Sequence, residues 1–323
     1  MNIKLLIFYN STEYDISSCI VDDITLETKR RGSPAKFVFK IVREFANELN
    51  FAEGARVSYY VDDYPMFLGY VFSKSRDKEQ IITVTAYDQT RYFKNTETYV
   101  YENYTATKLI KAICEDFNIV SGEIIDTEYI LPKRKEDNQK LWDIILSALD
   151  LTMIYTGQMY ILYDDFGKLT LKKLDDMLLS LALVSDADTL IDFEYKTDIE
   201  NSYNRIKLYR DNEETKKRDV WVAEDSLNQL KWGLLQYTED VSEGYSHEQI
   251  VDLVNRLLKS KNKINKTLKV TDIGDVSVRA GCAVNVIIND VGEKINSVMV
   301  VSSCKHIFKN NEHTMVLELE GGI

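Results

Sequence analysis

Cysteine is scarce and unpatterned: Cys19, Cys114, Cys282 and Cys304 are the only four in 323 residues. They form no C-x-x-C, stand far apart and sit in apolar runs. That excludes a disulfide framework and predicts buried, reduced thiols in a cytoplasmic setting. No apolar run is long enough to cross a membrane. The longest uncharged one, MLLSLALV at Met177–Val184, is less than half of the roughly 20 residues a spanning helix needs. The N-terminal run Leu5–Tyr9 passes at once into Asn10, Ser11, Thr12 and Glu13 with no small-residue cleavage site, so no secretion signal is read. Basic excess is also missing, since 40 Lys and Arg face 52 Asp and Glu for a net charge of -12. A nucleic-acid surface needs a basic stripe that releases counterions, so phosphate binding is excluded as a main role. An acidic wall that repels DNA suits a conduit DNA passes without sticking.

Catalytic signatures are absent too. There is no G-x-S-x-G, P-loop, G-x-G-x-x-G or H-E-x-x-H. Three pairs of neighbouring carboxylates, Asp62 with Asp63, Asp164 with Asp165 and Asp175 with Asp176, have the composition of an acid–base pair. Each lies at or beside a turn, where Asp is favoured for local hydrogen bonding, and the ordinary reading is a solvated turn. Cys304, His306 and His313 are the residue types that hold zinc, but a fourth ligand is missing. Alternation puts Cys304 and His306 on one strand face as a partly buried pair. His247, next to Glu248 in the first turn of a helix, reads as solvated. The 20 tyrosines fit sheet surfaces and subunit contacts. The expectation is no catalytic residue, no cofactor and no metal.

What the chain does contain is β-pattern, twice. In Gly54–Asp88, Val57, Tyr59 and Val61 alternate with polar residues, Asp62, Asp63 and Pro65 turn the chain, Phe67–Phe72 forms a second strand and Ile81–Ala86 a third: a meander. From Gly281 the pattern returns. Gly281-x-x-Val284 matches Gly54-x-x-Val57, Ile287 and Ile288 match Tyr60 and Val61, Asp290 matches Asp63, and Val298 falls at the offset of Val71. A longer turn, KHIFKNNE, is expected before the last strand, HTMVLELE. Two copies of one β-module would give each subunit two equivalent surfaces.

Taken in order, 1–95 reads as a first β-barrel built from KLLIFYN, EYDISSCI, DITLET, the Phe37–Val42 strand and the meander. At Tyr101 the period changes to 3.6 and predicts a helix over Thr107–Phe117, capped near Thr105 or Thr107. A strand near Glu123–Ile130, a charged loop PKRKEDNQ, a helix over Leu141–Leu149 and a hairpin run turning at Gly157 and Gly167 complete an α+β module, 96–187. The second barrel, 188–323, carries a helical insertion at about 226–265 with a helix over Ser246–Leu258, where Ser246 and Gln249 have capping-box spacing. The fold class is thus α+β, β-dominated, with two similar β-barrel domains, an inserted α+β module and a further helical insertion.

The stretches ENSYNRIKLYRDNEETKKRDVWVAEDS (Glu200–Ser226), KWGLLQYTEDV (Lys231–Val241), VTDIGDVSVRAGCAVNV (Val270–Val286), KHIFKNNEHTMVLELE (Lys305–Glu320) and FLGYVFSKSRDKEQIITVTAYDQTRYF (Phe67–Phe93) resemble a known family. It is the tail hub proteins of PBSX-type defective prophages, with relatives in contractile phage tails and R-type bacteriocins and a link to phage late control protein D. The resemblance covers most of the chain and is least distinct over Tyr101–Asp186. It implies a structural baseplate hub: a homotrimer joining the six-fold tail tube ring to the three-fold central spike and lining the channel. It also implies contact with other baseplate proteins, among them a LysM-containing tail protein, with no nucleic-acid-binding surface and no membrane. The implied location is the cytoplasm during assembly and then the baseplate of the released particle. Two competing classes are a tail-associated cell-wall hydrolase, which would add a domain with catalytic spacing, and a carbohydrate-binding or adhesin module, which would show turn-rich strand repeats with exposed aromatics.

Overall fold

The computed structural model describes residues 1–42, 51–184, 190–212, 216–241, 244–289 and 294–321. Asp290, the expected counterpart of Asp63, and the expected boundary at 187/188 lie outside these residues. The chain is β-dominated α+β, as its patterning predicts.

The first half opens with β1 (Ile3–Tyr9), β2 (Thr12–Asp15), β3 (Ile20–Lys29), β4 (Lys36–Val42), β5 (Arg56–Val61), β6 (Tyr64–Arg76) and β7 (Ile81–Tyr87), paired antiparallel in the order β3-β4-β7-β6-β5-β1-β2. Alternation decides which side chains go in: Phe37, Phe39 and Ile41 of β4 and Val84 and Ala86 of β7 point into one core with Leu5, Ile7, Val57 and Tyr59. Each such side chain, when fully buried, contributes about 1.5–3 kcal/mol relative to exposure. The hairpin turns follow from φ. Asn10–Ser11 and Asp62–Asp63 both have positive φ at each residue, the two-residue turn whose twist matches the flanking strands.

The middle of the chain forms β8 (Thr96–Tyr101), α1 (Ala106–Asp116), β9 (Ser121–Ile124), β10 (Arg134–Lys140), α2 (Leu141–Thr156), β11 (Tyr160–Asp164) and β12 (Leu169–Lys173). Thr105 caps α1 by accepting from the Lys108 amide. The α2 helix runs beyond the expected Leu149 to Thr156, where Gly157 at φ 75° takes the left-handed C-terminal position. Residues 151–155, expected in a hairpin, therefore belong to the helix. The expected charged loop is instead the strand β10, paired with β8. Its side chains carry almost no apolar alternation, and its one inward group, Glu136, is held by Arg134 at 2.7 Å.

The last part contains β13 (Leu178–Val184), β14 (Leu190–Asp198), β15 (Arg205–Asn212), β16 (Lys217–Glu224), α3 (Ser226–Trp232), β17 (Gln236–Asp240), α4 (His247–Lys261), β18 (Asn265–Ile273), β19 (Ala283–Ile288), β20 (Ile295–Lys309) and β21 (Glu312–Glu320). The capping box at Ser246 and Gln249 forms as read. KHIFK is not a turn: β20 runs to Lys309 and the hairpin turns on Asn310–Asn311, again with positive φ at both.

Cores redraw the expected division. Ile206, Leu208, Ala223 and the α4 residues Ile250, Leu253, Val254 and Leu257 share one core with α1 and α2, not with β18–β21. The strands β15–β17 make a sheet of their own, β16-β15-β17. Sequence order assigned them to the second β-module; their apolar face packs on α4 and through it joins the core of α1 and α2.

The two meanders are structurally the same device. The Gly54 amide donates to the Val71 carbonyl and the Val71 amide to that of Ala55; Gly281, Val301 and Cys282 repeat the pair of bonds. A register shift follows at the same place, between Val71 and Ser73 in one copy and Val301 and Ser303 in the other. Lys74 Nζ donates to the Phe51 carbonyl, where the sulfur of Cys304 meets the Val278 carbonyl. The partner of Val71 is thus Val301 and not Val298, because the second hairpin is longer. Neither half closes on itself by hydrogen bonds among the described residues. One 13-stranded sheet passes through both, its order β14-β18-β21-β20-β3-β4-β7-β6-β5-β1-β2, with β19 beside β20 and β13 beside β19.

Candidate functional site: a buried polar junction and open sheet edges

The joint between the two halves is β3 against the second half of β20, antiparallel from Ser303 opposite Lys29 to Phe308 opposite Ile24. Lys305 stands opposite Glu27, and Lys309 reaches Asp23 at 3.1 Å. Phe308 leaves its own half to pack edge-on against Tyr59, with ring centroids 5.3 Å apart. Thr28 Oγ1 accepts from the Ala280 amide at 3.0 Å, and the Arg30 amide donates to the Ser302 carbonyl at 2.9 Å.

Behind this joint lies a buried polar cluster. Asp88, at the end of β7, accepts from the amide and hydroxyl of Thr90 and from the Ala35 amide. Gln89 Nε2 donates to Asp164 Oδ2 at 2.7 Å, and its amide group clamps Val120 through both N–H and C=O. Arg279 Nη1 donates to the Asp164 carbonyl at 3.0 Å while its guanidinium stacks over Tyr163. Burial first, and then the nearby Asp164, push Asp88 up to about 7. Burial likewise raises Asp164, against the Gly167 and Gln89 hydrogen bonds. Asp164 is 7% exposed, so the solvated-turn reading fails for it. Its second oxygen accepts from Gly167 in the turn it begins, but the other is turned inward to Gln89. Asp62 and Asp63 are exposed at a turn as expected; Asp175 and Asp176 are exposed too, but in the short 3-10 helix Leu174–Met177. The cavity beside Asp88, Asp164 and Arg279 is about 60 Å³, far below the several hundred Å³ of a ligand pocket. The carboxylates brace three pieces of chain and have no room for a substrate.

Cys304, His306 and His313 do come together. Nε2 of His306 lies 2.9 Å from the Val278 carbonyl and therefore carries its proton, so Nδ1 accepts from His313 Nε2 at 2.9 Å. Burial, followed by His313, lowers His306 to about 4, and burial raises the Cys304 thiol. Both ring nitrogens of His306 are committed to hydrogen bonds, and no metal-ligand group of three occurs among the described residues. His247 is exposed as read, but accepts from Trp221 Nε1 at 3.0 Å and so orients that indole. All four cysteines are buried free thiols.

Sequence reasoning missed Asp88, Gln89, Arg279 and Asn204. The last is fully buried and bridges Gly233 and Leu235 through its amide, pinning the turn after α3 to β15. Asp88 alone gave a signal, as the Asx cap of Asp88-x-Thr90.

The surface offers strand edges. Among the described residues β14 has a strand neighbour, β18, on one side only, and Phe72–Arg76 of β6 pairs only with β7. The α3 helix buries nothing, and Leu227, Leu230 and Leu234 are 69%, 85% and 57% exposed.

Residues 24–320 match the YQBQ-like family. The chain belongs to the YQBQ-like family. It is 30% identical over 305 residues to the uncharacterized protein YqbQ and, equally, to the phage-like element PBSX protein XkdQ, both of Bacillus subtilis, covering 93% of this chain and 92% of each relative. Its fold is similar to a tail protein from Neisseria meningitidis (TM-score 0.72, 14% identity, 99% and 97% of the two chains). It is similar also to the 43 kDa tail protein of prophage MuSo2 from Shewanella oneidensis (TM-score 0.71, 12% identity, 98% of each). The E. coli c3393 protein, a type VI secretion component described as similar to the T4 tail proteins gp27 and gp5, shares the fold at TM-score 0.57 and 8% identity over 99% of this chain and 76% of that one. At these identities the solved structures speak to the fold: it is that of phage tail proteins.

Proposed function

We propose that the protein is a structural component of a phage-like tail that acts as its baseplate hub, three copies forming a ring between the tail tube and a central spike. The observation that carries this reading is the repeat. Two meanders with the same glycine-anchored hydrogen bonds lie in one chain and are joined edge to edge. A six-fold tube meets a three-fold spike without mismatch only through an adaptor with six equivalent faces on one side and three on the other, and three chains with two modules each provide that. The modules are 1–95 and the strands β14 and β18–β21, with the residues between them, including β15–β17 and α1–α4, folded outward as the part in which the halves differ. The partners in this reading are the tube ring, the spike and further baseplate proteins, a LysM-containing one among them. The location is the cytoplasm during assembly and then the particle. The acidic balance, net charge -12, keeps DNA from adhering to the channel wall.

The role is non-catalytic, supported by the packed carboxylate cluster and its small cavity. A reconstruction of the intact baseplate tests the hub. Three copies whose two modules superpose on rotation by about 60° about the axis are expected; six copies, or modules that do not superpose, would overturn it. Release of soluble fragments from peptidoglycan by the purified protein, abolished by Asp164→Ala with Asp165→Ala, would overturn the non-catalytic role.

A further inference from the structure

The joint inside the chain uses one edge from each module, β3 of the first and the second half of β20, and the repeat maps each onto its counterpart. Val71 and Val301 share the same hydrogen bonds and the same bulge follows both, so Ser303 corresponds to Ser73, Cys304 to Lys74 and His306 to Arg76. On the other side, β4 and β18 occupy the same place beside β7 and β21: Phe37 pairs with Ala86 as Leu268 pairs with Leu319. Leu26 pairs with Phe37 and Tyr195 with Leu268, so β3 corresponds to β14, Glu27 to Lys196 and Lys29 to Asp198. The counterparts of the two joined edges are thus β6 from Ser73 onward and β14. Within one chain neither has a second strand neighbour among the described residues.

Charge fits the same pairing. In the joint that exists, β3 supplies Asp22, Asp23 and Glu27 against one Lys29, and β20 supplies Lys305 and Lys309. The counterparts keep the net sign of each edge, though not the sign at each position, since Glu27 answers to Lys196 and Lys29 to Asp198. β14 carries Asp192, Glu194 and Asp198 against Lys196, while Ser73–Lys78 carries Lys74, Arg76 and Lys78 against Asp77.

We infer that β14 of one copy pairs antiparallel with the Ser73–Arg76 edge of β6 of a second copy, in the register Ser73 opposite Asp198, Lys74 opposite Thr197, Ser75 opposite Lys196 and Arg76 opposite Tyr195. This rests on the ring reading and names its contact. The occupant of each edge is another copy of this chain, and the pairing leaves neither edge open to indiscriminate strand addition. The register stops at Arg76, where β6 ends and Asp77 turns the chain.

Opposed residues of an antiparallel pair have Cα atoms about 4.5–5.5 Å apart, within disulfide reach, and the four native thiols are buried and do not compete. The test is oxidation of the full chain carrying Ser75→Cys with Lys196→Cys, over a range of concentrations up to millimolar, with native mass measured on the same samples. Each single variant and the pair Ser75→Cys with Glu13→Cys, which uses the one-sided edge of β2 instead, serve as controls. The expected product is a covalent three-chain species on denaturing, non-reducing gels from the Ser75–Lys196 pair, with the single variants giving at most dimers. Native multimers without that disulfide, or with the Glu13 pair linking as well, overturn the pairing while leaving the ring reading intact. A chain that stays single and unlinked throughout overturns the pairing too, and the ring then stands or falls by the baseplate reconstruction.

Discussion

Gly54 and Gly281 occupy the same position in the two meanders, with φ of 86° and 96°, yet their surroundings differ. A Cβ on Gly54 meets nothing within 4 Å, whereas one on Gly281 would sit 2.3 Å from Ile161 Cγ2, on the strand that joins the middle module to the second β-module. Gly54→Ala therefore carries only the cost of a left-handed backbone with a side chain, about 1–2 kcal/mol. Gly281→Ala adds an overpacking cost of about 1–3 kcal/mol, for a total of about 2–5 kcal/mol. Ile161→Leu removes the offending Cγ2 branch. The clash predicts that Ile161→Leu with Gly281→Ala costs less than the two single changes added, by about 1–2 kcal/mol of coupling, while Ile161→Leu with Gly54→Ala is additive. Urea unfolding midpoints of the five variants and the parent measure this. Equal costs at the two glycines, or strict additivity of the Ile161 pair, would refute the reasoning that β11 presses on this turn.

Stability should depend on pH through His306 on one side and the buried carboxylates Asp88 and Asp164 on the other. His306 is held near 4 against an ordinary 6.5, so it stabilises the fold above 6.5 and loses that contribution, about 3 kcal/mol, as pH falls from 6.5 to 4. Asp88, raised to about 7, acts the other way: its contribution is present below pH 4 and lost as pH rises through 7. Relative to the parent, Asp88→Asn should gain in denaturant midpoint steadily as pH rises from 4 to 7, with a constant offset for the Ala35 amide left facing an NH₂; a difference that does not change with pH contradicts the assignment. Ser246→Ala removes the hydroxyl that accepts from the Gln249 amide at 3.3 Å, leaves the 2.8 Å bond from the residue 246 amide to Gln249 Oε1, and should lower stability by about 1 kcal/mol, while Ser246→Thr should restore most of it. All four thiols should react slowly in the native protein and fully after unfolding; a shortfall after unfolding would mean that one is covalently blocked.

The sequence by itself determined what depends on local period and local chemistry. The alternation in Phe37–Ile41 and Ile81–Ala86, the 3.6-residue spacing of Leu109, Ile110, Ile113 and Cys114, and the Ser246–Gln249 box all folded as read, because each is written in a period or a cap that spans only a few residues. The repeat was legible through Gly54 and Gly281, since positive φ leaves a mark in residue type. Its register was not: Val71 answers to Val301 because the second hairpin is longer, and hairpin length is set by pairing across strands. Tertiary structure alone decided that β15–β17 join the helices, that charged β10 is a strand, and that Asp164, with the look of a turn residue, is buried against Gln89. In each case the deciding partner lies 30 or more residues away in the chain: Gln89 from Asp164, Tyr101 from Arg134, and α4 from β15. The burial of a polar group, or the choice of core for an amphipathic strand, is a property of that partner's position in space, which no window of sequence contains.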